Sequence, residues 1–382
     1  MTDNDHIYYD LQFNNYQSIT EEPSQLTFRE TRNSPIINDP SKYNMSIVRF
    51  DLDTISLPSY VAAIQPNQSN PNLMIYAINL SYWDGTTEIT IPPTYLIWTP
   101  SHKEASVPLP PSANSNGFQT DSIYYYGYCF QHICEILNTA FATAMTNLKA
   151  AVSLTGNNIN TVLYPFVYFD NSDNKFHIVA DNDHFNYLSL NNHIRIYFNK
   201  ALYGLLSSFP ALRNDKSNVN QNIYQIRITG SKNKFLTKNI YWDNSNSIVF
   251  IDFPQEYSTL SNFNPIASII FTTSQIPVVP NQISAPLVFN NNQLVSDYNQ
   301  NNLTSQIITD MVNNDDFSYK PNLLYNPSAE FRRISLTSNR PLNNIDIMVY
   351  WKNKRGELKP FYVWSGGSAS IKILFEKKKL LS

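Results

Sequence analysis

Two cysteines and nine glycines are all that a chain of 382 residues contains. Each scarcity excludes something. Cys129 and Cys134 stand five residues apart in a helical pattern, where a disulfide has poor geometry. They read as reduced core residues rather than a redox or metal pair, and the chain reads as one that folds in a reducing compartment. Nine glycines leave little room for loops that cradle phosphate: there is no G-x-G-x-x-G, no P-loop and no G-x-S-x-G. Charge is scarce as well. Only 15% of residues are charged and the formal net charge is -3, against about 25% charged in ordinary soluble proteins. Such a surface does little to repel its neighbours, which suits a packed assembly and suits a secreted β protein too. No apolar run approaches the roughly 18 residues of a membrane span, so no membrane span is expected. The opening "MTDNDHIYYDLQFNN" is acidic and polar and lacks the apolar segment of a secretory signal.

What is abundant points to strands and turns. Hydrophobic residues make up 42% of the chain and aromatics 14%, led by 25 Tyr and 22 Phe, both strand formers. There are 23 Pro, and about one residue in eight is Asn. Asn tolerates positive φ and caps local turns, so it takes over work that Gly does elsewhere. The sequons at Asn44, Asn67, Asn79 and Asn302 are what chance gives in so Asn-rich a chain.

Residues 1–27 are polar with scattered aromatics (Tyr8, Tyr9, Phe13, Tyr16). They read as an extended arm ordered against a partner, with a plain edge strand as the alternative. Short strands follow. In "MSIVRFDLDT", Val48, Phe50 and Leu52 alternate with Arg49 and Asp51. "NLMIYAINLSYW" and "TEITIPPTYLIWTP" come next, then the Pro-rich "SVPLPPSANSNG", which reads as an exposed loop. From about Gln221 the pattern is again strand after strand, with a Pro-interrupted edge in "SQIPVVPNQISAPLVFNNN" and an Asn/Asp-rich loop expected over 291–328. Ile345, Ile347, Val349 and Trp351 share one face near the end, as do Ile371, Ile373 and Phe375.

One stretch breaks the pattern. In "YYYGYCFQHICEILNTAFATAMTNLKAAV", Phe130, Ile133, Cys134, Leu137, Phe141, Met145 and Leu148 form a stripe at three- and four-residue steps. The spacing predicts a long amphipathic helix stopped near Gly156, with a gross burial worth on the order of 10 kcal/mol. "PFVYFD" and "KFHIVAD", joined by "NSDN", predict a hairpin for it to pack on, and "HIRIYFNKALYGLLSSF" a strand running into a short helix. The fold class is therefore mostly β: a jelly-roll β-sandwich with an inserted smaller domain that contains the helix. The expected division is an arm over 1–27, a discontinuous roll over 28–118 and 220–382, and the insertion over 119–219.

Chemistry is harder to find. The six histidines, His6, His102, His132, His177, His184 and His193, include no pair at helical i, i+4 spacing. The most metal-like cluster is "DNDHF", Asp181 to Phe185, whose carboxylates could hold calcium and whose plainer reading is a polar turn. Trp83, Trp98, Trp351 and Trp364 fall at strand-alternation positions and read as core rather than sugar platforms. No carboxylate pair of a glycosidase can be named. Lys377, Lys378 and Lys379 read as a solvated tail rather than a nucleic-acid site, so no specific nucleic acid is expected. The expected site list is accordingly empty: no catalytic, cofactor or metal residue, and no cofactor.

Three stretches together carry a resemblance: "TRNSPIINDPSKYNMSIVRFDLDTISLPSY"; the helix followed by "PFVYFDNSDNKFHIVAD" and "IRIYFNKALYGLLSSF"; and "FRRISLTSNRPLNNIDIMVYWKNKRGELKPFYVWSGGSASIKILFEKK". The chain resembles the minor capsid (penton) proteins of virophages and polinton-like viruses. The resemblance implies a non-enzymatic jelly roll made in the host cytoplasm and built into the virion. There it would close fivefold vertices as a homopentamer among capsomers of the major capsid protein, with a vertex fibre or a host receptor as further partners. The alternatives are a face-forming jelly-roll capsid protein, a carbohydrate- or receptor-binding β-sandwich, and a jelly-roll hydrolase.

Overall fold

The computed structural model describes residues 4–16, 23–65, 70–100, 122–189, 192–213, 224–229, 240–243, 248–279, 289–290, 293–294, 306–311, 322–325, 332–354, 356 and 358–379. The Pro-rich loop over 106–117, Asn67, His102 and Asn302 lie outside them, as does most of the Pro-interrupted edge. The chain divides into two compact units, Met1–Pro58 with Pro265–Ser382, and Ser59–Asn264.

The first unit is the roll. One sheet runs His6–Asn14, Ser368–Lys377, Tyr43–Asp53, Asn322–Tyr325; the other runs Thr27–Thr31, Asn344–Asn353, Ile266–Thr273, Gln306–Met311. Counted along the chain these are strands first, eighth, third, sixth and second, seventh, fourth, fifth, all antiparallel. That order is a jelly roll, two Greek keys folded face to face. The inner faces meet at Phe50 and Phe271, whose rings stand 5.1 Å apart, and Phe50 also stacks on Tyr325 at 5.0 Å. The strand Tyr43–Asp53 changes parity midway. Ile373 pairs with Ile47 and Lys372 with Arg49, so Val48 is an extra residue. The bulge lets Met45 and Ile47 on one side of it, and Phe50 and Leu52 on the other, all be buried.

Two expectations change here. Residues 6–14 are not an arm: each pairs in register with 376 down to 368, so they form the outer strand of a sheet. Ile7, Tyr9, Leu11 and Phe13 alternate with exposed neighbours, but only Leu11 is fully buried, so the edge-strand alternative is the one that holds. Likewise, 291–328 is not all loop, since two roll strands, Gln306–Met311 and Asn322–Tyr325, fall within it.

The second unit is an α+β layer structure and is larger than the 119–219 expected. The helix Phe130–Ser153 packs against Phe166–Asp170, Thr94–Ile97 and Leu73–Trp83. Two sheets share its core. One contains Phe166–Asp170, Lys175–Asp181, Ile248–Pro254 and Ile240–Asp243; the other contains Leu73–Trp83, Glu88–Thr90, Thr94–Ile97, His193–Phe198, Ala211–Arg213 and Tyr224–Ile226. The strands over 73–97 and 248–254 were expected in the roll. They belong here because Met74, Tyr76, Ile78, Leu80, Leu96, Ile251 and Phe253 bury their side chains in the helix core. The predicted hairpin forms, with Asn174 at φ 59 closing its turn. All seven stripe residues of the helix are buried, and so are His132, Ile136, Ala140, Ala144 and Val152, because the helix meets strands of both sheets. Three threonines on its wet face, Thr139, Thr143 and Thr146, donate their hydroxyls to the carbonyl four residues back.

Candidate functional site

The polar groups single out the hairpin. Along Phe166–Asp170 and Lys175–Asp181, odd and even positions face opposite ways. Val167, Phe169, Phe176 and Ile178 enter the helix core. The other face carries Tyr168, Asp170 and His177, and the neighbouring strand adds Asp252, which pairs with Val179. His177 and Asp252 have no exposed surface at all. Nδ1 of His177 lies 2.9 Å from Asp252 Oδ1, and the Tyr168 hydroxyl donates to Asp252 Oδ2 at 2.8 Å. The Tyr168 ring stacks on the imidazole at 4.7 Å. Nε2 of His177 points to the Asp173 carboxylate, 3.3 and 3.4 Å from its two oxygens. Asp170 completes the group: one donor atom each from Asp170, Asp173 and His177 lie within 4.8 Å of one another. Burial disfavours a charged imidazole here, yet the hydrogen bond and charge of Asp252, followed by those of Asp173, outweigh it and raise the His177 pKa.

The cluster that sequence favoured, Asp181 to Phe185, is a capping device. Asp181 accepts from the Asp183 amide at 2.9 Å and opens the short helix Asn182–Phe185. Its other oxygen holds His184 Nδ1 at 2.8 Å. Sequence reasoning passed over His177 because it sits inside an apolar-looking strand. The usable signal was the i, i+4 pair Asp173/His177 spanning a hairpin turn, with Asp170 three residues before.

The remaining candidates have structural explanations. His132 is a core residue: its Nε2 lies 2.7 Å from the Thr99 carbonyl, so it donates there, and Nδ1 takes the Tyr60 hydroxyl at 2.5 Å. Trp98 crosses that imidazole edge-on at 4.9 Å and donates its indole N–H to the Tyr124 carbonyl. Trp98 and Trp351 are buried; Trp83 and Trp364 are half-buried, and Arg195 lies over the Trp83 ring at 5.0 Å. Cys134 is buried, and burial raises its thiol pKa; Cys129, expected in the core as well, is instead exposed because it precedes the helix. The basic end is not a free tail throughout, since Lys378 donates to the carbonyls of Ser41 and Leu336. Among the described residues no helix is long and apolar enough to cross a membrane.

Surfaces fit for contact also stand out. In the roll unit Tyr8, Ile55, Leu324 and Tyr362 are exposed, and a cleft of about 620 Å³ is lined by Tyr8, Tyr9, Asp10, Glu30, Arg32 and Tyr43 among others. In the inserted unit Leu154, 88% exposed, and Leu163, Tyr164 and Phe166 follow the end of the long helix.

Comparison with known proteins agrees in sequence and in fold. Two Sputnik virophage proteins are similar in sequence. The uncharacterized protein V18 is 28% identical over 150 residues, 39% of this chain and 87% of that protein. The structural protein V19 is 23% identical over 219 residues, 56% of this chain and 94% of that protein. A chain in the cryo-EM structure of the Sputnik virophage superposes with a TM-score of 0.76 at 23% identity, covering 98% of both chains. The mavirus penton protein superposes with a TM-score of 0.61 at 16% identity, over 98% of this chain and 100% of that one. The family described as Sputnik minor capsid protein V18/19 matches residues 7–377, a span that opens on the first strand of the roll and closes on its eighth, and the chain belongs to that family.

Proposed function

We propose that this protein is the penton subunit of an icosahedral DNA-virus capsid, closing each fivefold vertex as a homopentamer among capsomers of the major capsid protein. The observation that carries the reading is the family match over residues 7–377, which runs through the roll and the insertion alike. The jelly roll supports it, as do the low charge and the exposed apolar side chains of the roll unit. Five copies around an axis require a heterologous contact, one face of each subunit against a different face of the next. The role is structural and not enzymatic. A vertex fibre or a host receptor would meet the outer surface of the ring.

The test is the native mass of the purified chain by light scattering, followed by imaging of particles. A mass near five times 43.9 kDa is expected, with the chain's density on the fivefold axes. A stable trimer would overturn the reading in favour of a face-forming capsid protein or a fibre head. So would particles whose fivefold density excludes the chain.

A further inference from the structure

The hairpin cluster has the geometry of a ligand set, and it does not depend on the capsid reading. His177 has its Nδ1 fixed by Asp252, and Asp252 is in turn fixed by the Tyr168 hydroxyl. That leaves Nε2 aimed at carboxylates. A charge-assisted N–H···O bond closes to about 2.7–2.9 Å, as the Asp252 side of the ring does at 2.9 Å. The Asp173 side stands at 3.3 and 3.4 Å. Two donors that share a tetrahedral ion at about 2.0–2.1 Å are about 3.3–3.4 Å apart. The spacing on the Nε2 side is therefore that of co-ligands. Asp170 brings a third donor within 4.8 Å.

The backbone holds both acidic side chains in place. Asp170 Oδ1 accepts from the Ser172 amide at 2.8 Å, and Asp173 Oδ1 from the Lys175 amide at 3.2 Å. An ionised carboxylate offers about four acceptor positions, and each of these amide bonds takes one. The full exclusion of solvent from His177 and Asp252, on the sheet face turned away from the helix core, sets this group apart from an ordinary polar turn.

We propose that Asp170, Asp173 and His177 bind one divalent transition-metal ion of the zinc class, with Asp252 and Tyr168 as the positioning pair behind the histidine. One imidazole nitrogen and two carboxylate oxygens make a donor set for zinc rather than for calcium or magnesium, which take oxygen donors. The ion takes the Nε2 lone pair, and the proton on that nitrogen leaves to solvent. A carboxylate on the far nitrogen of a ligating histidine is the usual outer partner of such sites. Bound there, the ion ties the hairpin turn to its two strands.

The experiment uses the full chain. Protein purified without chelator is dialysed and assayed for metal by mass spectrometry. Metal-stripped protein is then titrated with zinc chloride, and with cobalt chloride read by its visible absorption. Thermal unfolding is followed with zinc and with EDTA. One zinc per chain and a melting temperature several degrees higher with zinc are expected. Asp170→Asn and Asp173→Asn, both at partly exposed positions, should remove the binding and the zinc-dependent shift, each variant being compared with itself in zinc and in EDTA because Asp173 also pairs with His177. Tyr168→Phe should weaken affinity about tenfold or more through the positioning pair. Substoichiometric zinc and a melting temperature indifferent to zinc would overturn the proposal. So would calcium binding in preference to zinc, or unaltered zinc binding in Asp170→Asn and Asp173→Asn.

Discussion

Leu137 lies in the middle of the helix stripe, 1% exposed, within the core shared by the helix and the two sheets of the inserted unit. Truncation to Ala removes buried apolar atoms and leaves a cavity, which costs about 2–5 kcal/mol in such surroundings. Replacement by Asp adds the cost of a carboxylate with no partner, several kcal/mol more after relaxation. The total is comparable with the whole stability of an ordinary domain, about 5–15 kcal/mol. Leu137→Ala should therefore fold with a lower melting transition, and Leu137→Asp should leave the inserted unit unfolded. Scanning calorimetry of the full chain, with limited proteolysis to locate the cleaved segment, reads both. Thr143→Ala is the control: its exposed hydroxyl bonds only the helix's own Thr139 carbonyl, and the change should stay within about 0.5 kcal/mol. If Leu137→Asp unfolds at the wild-type temperature and resists protease over 59–264, the helix is not the core of this unit and the packing argument is wrong.

Other expectations follow from single contacts. Asp346, nearly buried, accepts from the Thr273 hydroxyl at 2.7 Å and from the amides of Ser274 and Gln275 at 2.8 and 2.9 Å. Asp346→Ala should cost the roll more than about 3 kcal/mol, since it strands three donors whose bonds to a charged acceptor contribute about 1.5–3 kcal/mol each; chemical denaturation measures it. In thiol labelling of the native protein, Cys129 should react at once and Cys134 only on unfolding, and two fast thiols would contradict its burial. His184 has its pKa raised, first by the hydrogen bond from its ring to Asp181 and despite partial desolvation. Its stabilising contribution is fully present below the unfolded value of about 6.5 and is lost as pH rises through the folded value. An NMR titration should show that midpoint above the unfolded one, and Asp181→Asn should bring it down.

The helix and its hairpin were legible because both rest on local rules: a stripe at helical spacing, and two alternating runs around an Asn-rich turn. Of the eight strands of the roll, Tyr43–Asp53, Ile266–Thr273, Asn344–Asn353 and Ser368–Lys377 were visible as strands, while Thr27–Thr31, Gln306–Met311 and Asn322–Tyr325 were too short or too polar to stand out. The division of strands between units was not visible, because alternation shows that a strand has one buried face without showing which core buries it. Leu73–Trp83 reads the same whether it faces a second sheet or a helix. For His6–Asn14 an edge strand was one of two readings, and the choice was not legible because its partner lies more than 350 residues away along the chain. Asp170, Asp173 and His177 lie in one short stretch and were passed over inside an apolar-looking hairpin, whereas Asp252 comes from a different strand 75 residues on. Pairing, which no single stretch contains, put Asp252 there.

That first strand also sets a timetable. His6–Asn14 and its ladder partner Ser368–Lys377 are made more than 350 residues apart. At about 5–20 residues per second of synthesis, the wait is roughly 20–70 s. The unit Ser59–Asn264 is complete within its own span and can fold while the ribosome is still working. The roll cannot close until Ser368–Lys377 has left the ribosome, and its contacts of very long sequence separation slow that step further. Until then the outer strand is an unpaired edge in the crowded cell, open to the wrong neighbour. Tyr8 and Asn14 hold a place for residues that do not yet exist, so anything that covers that edge during the wait should raise the yield of folded protein.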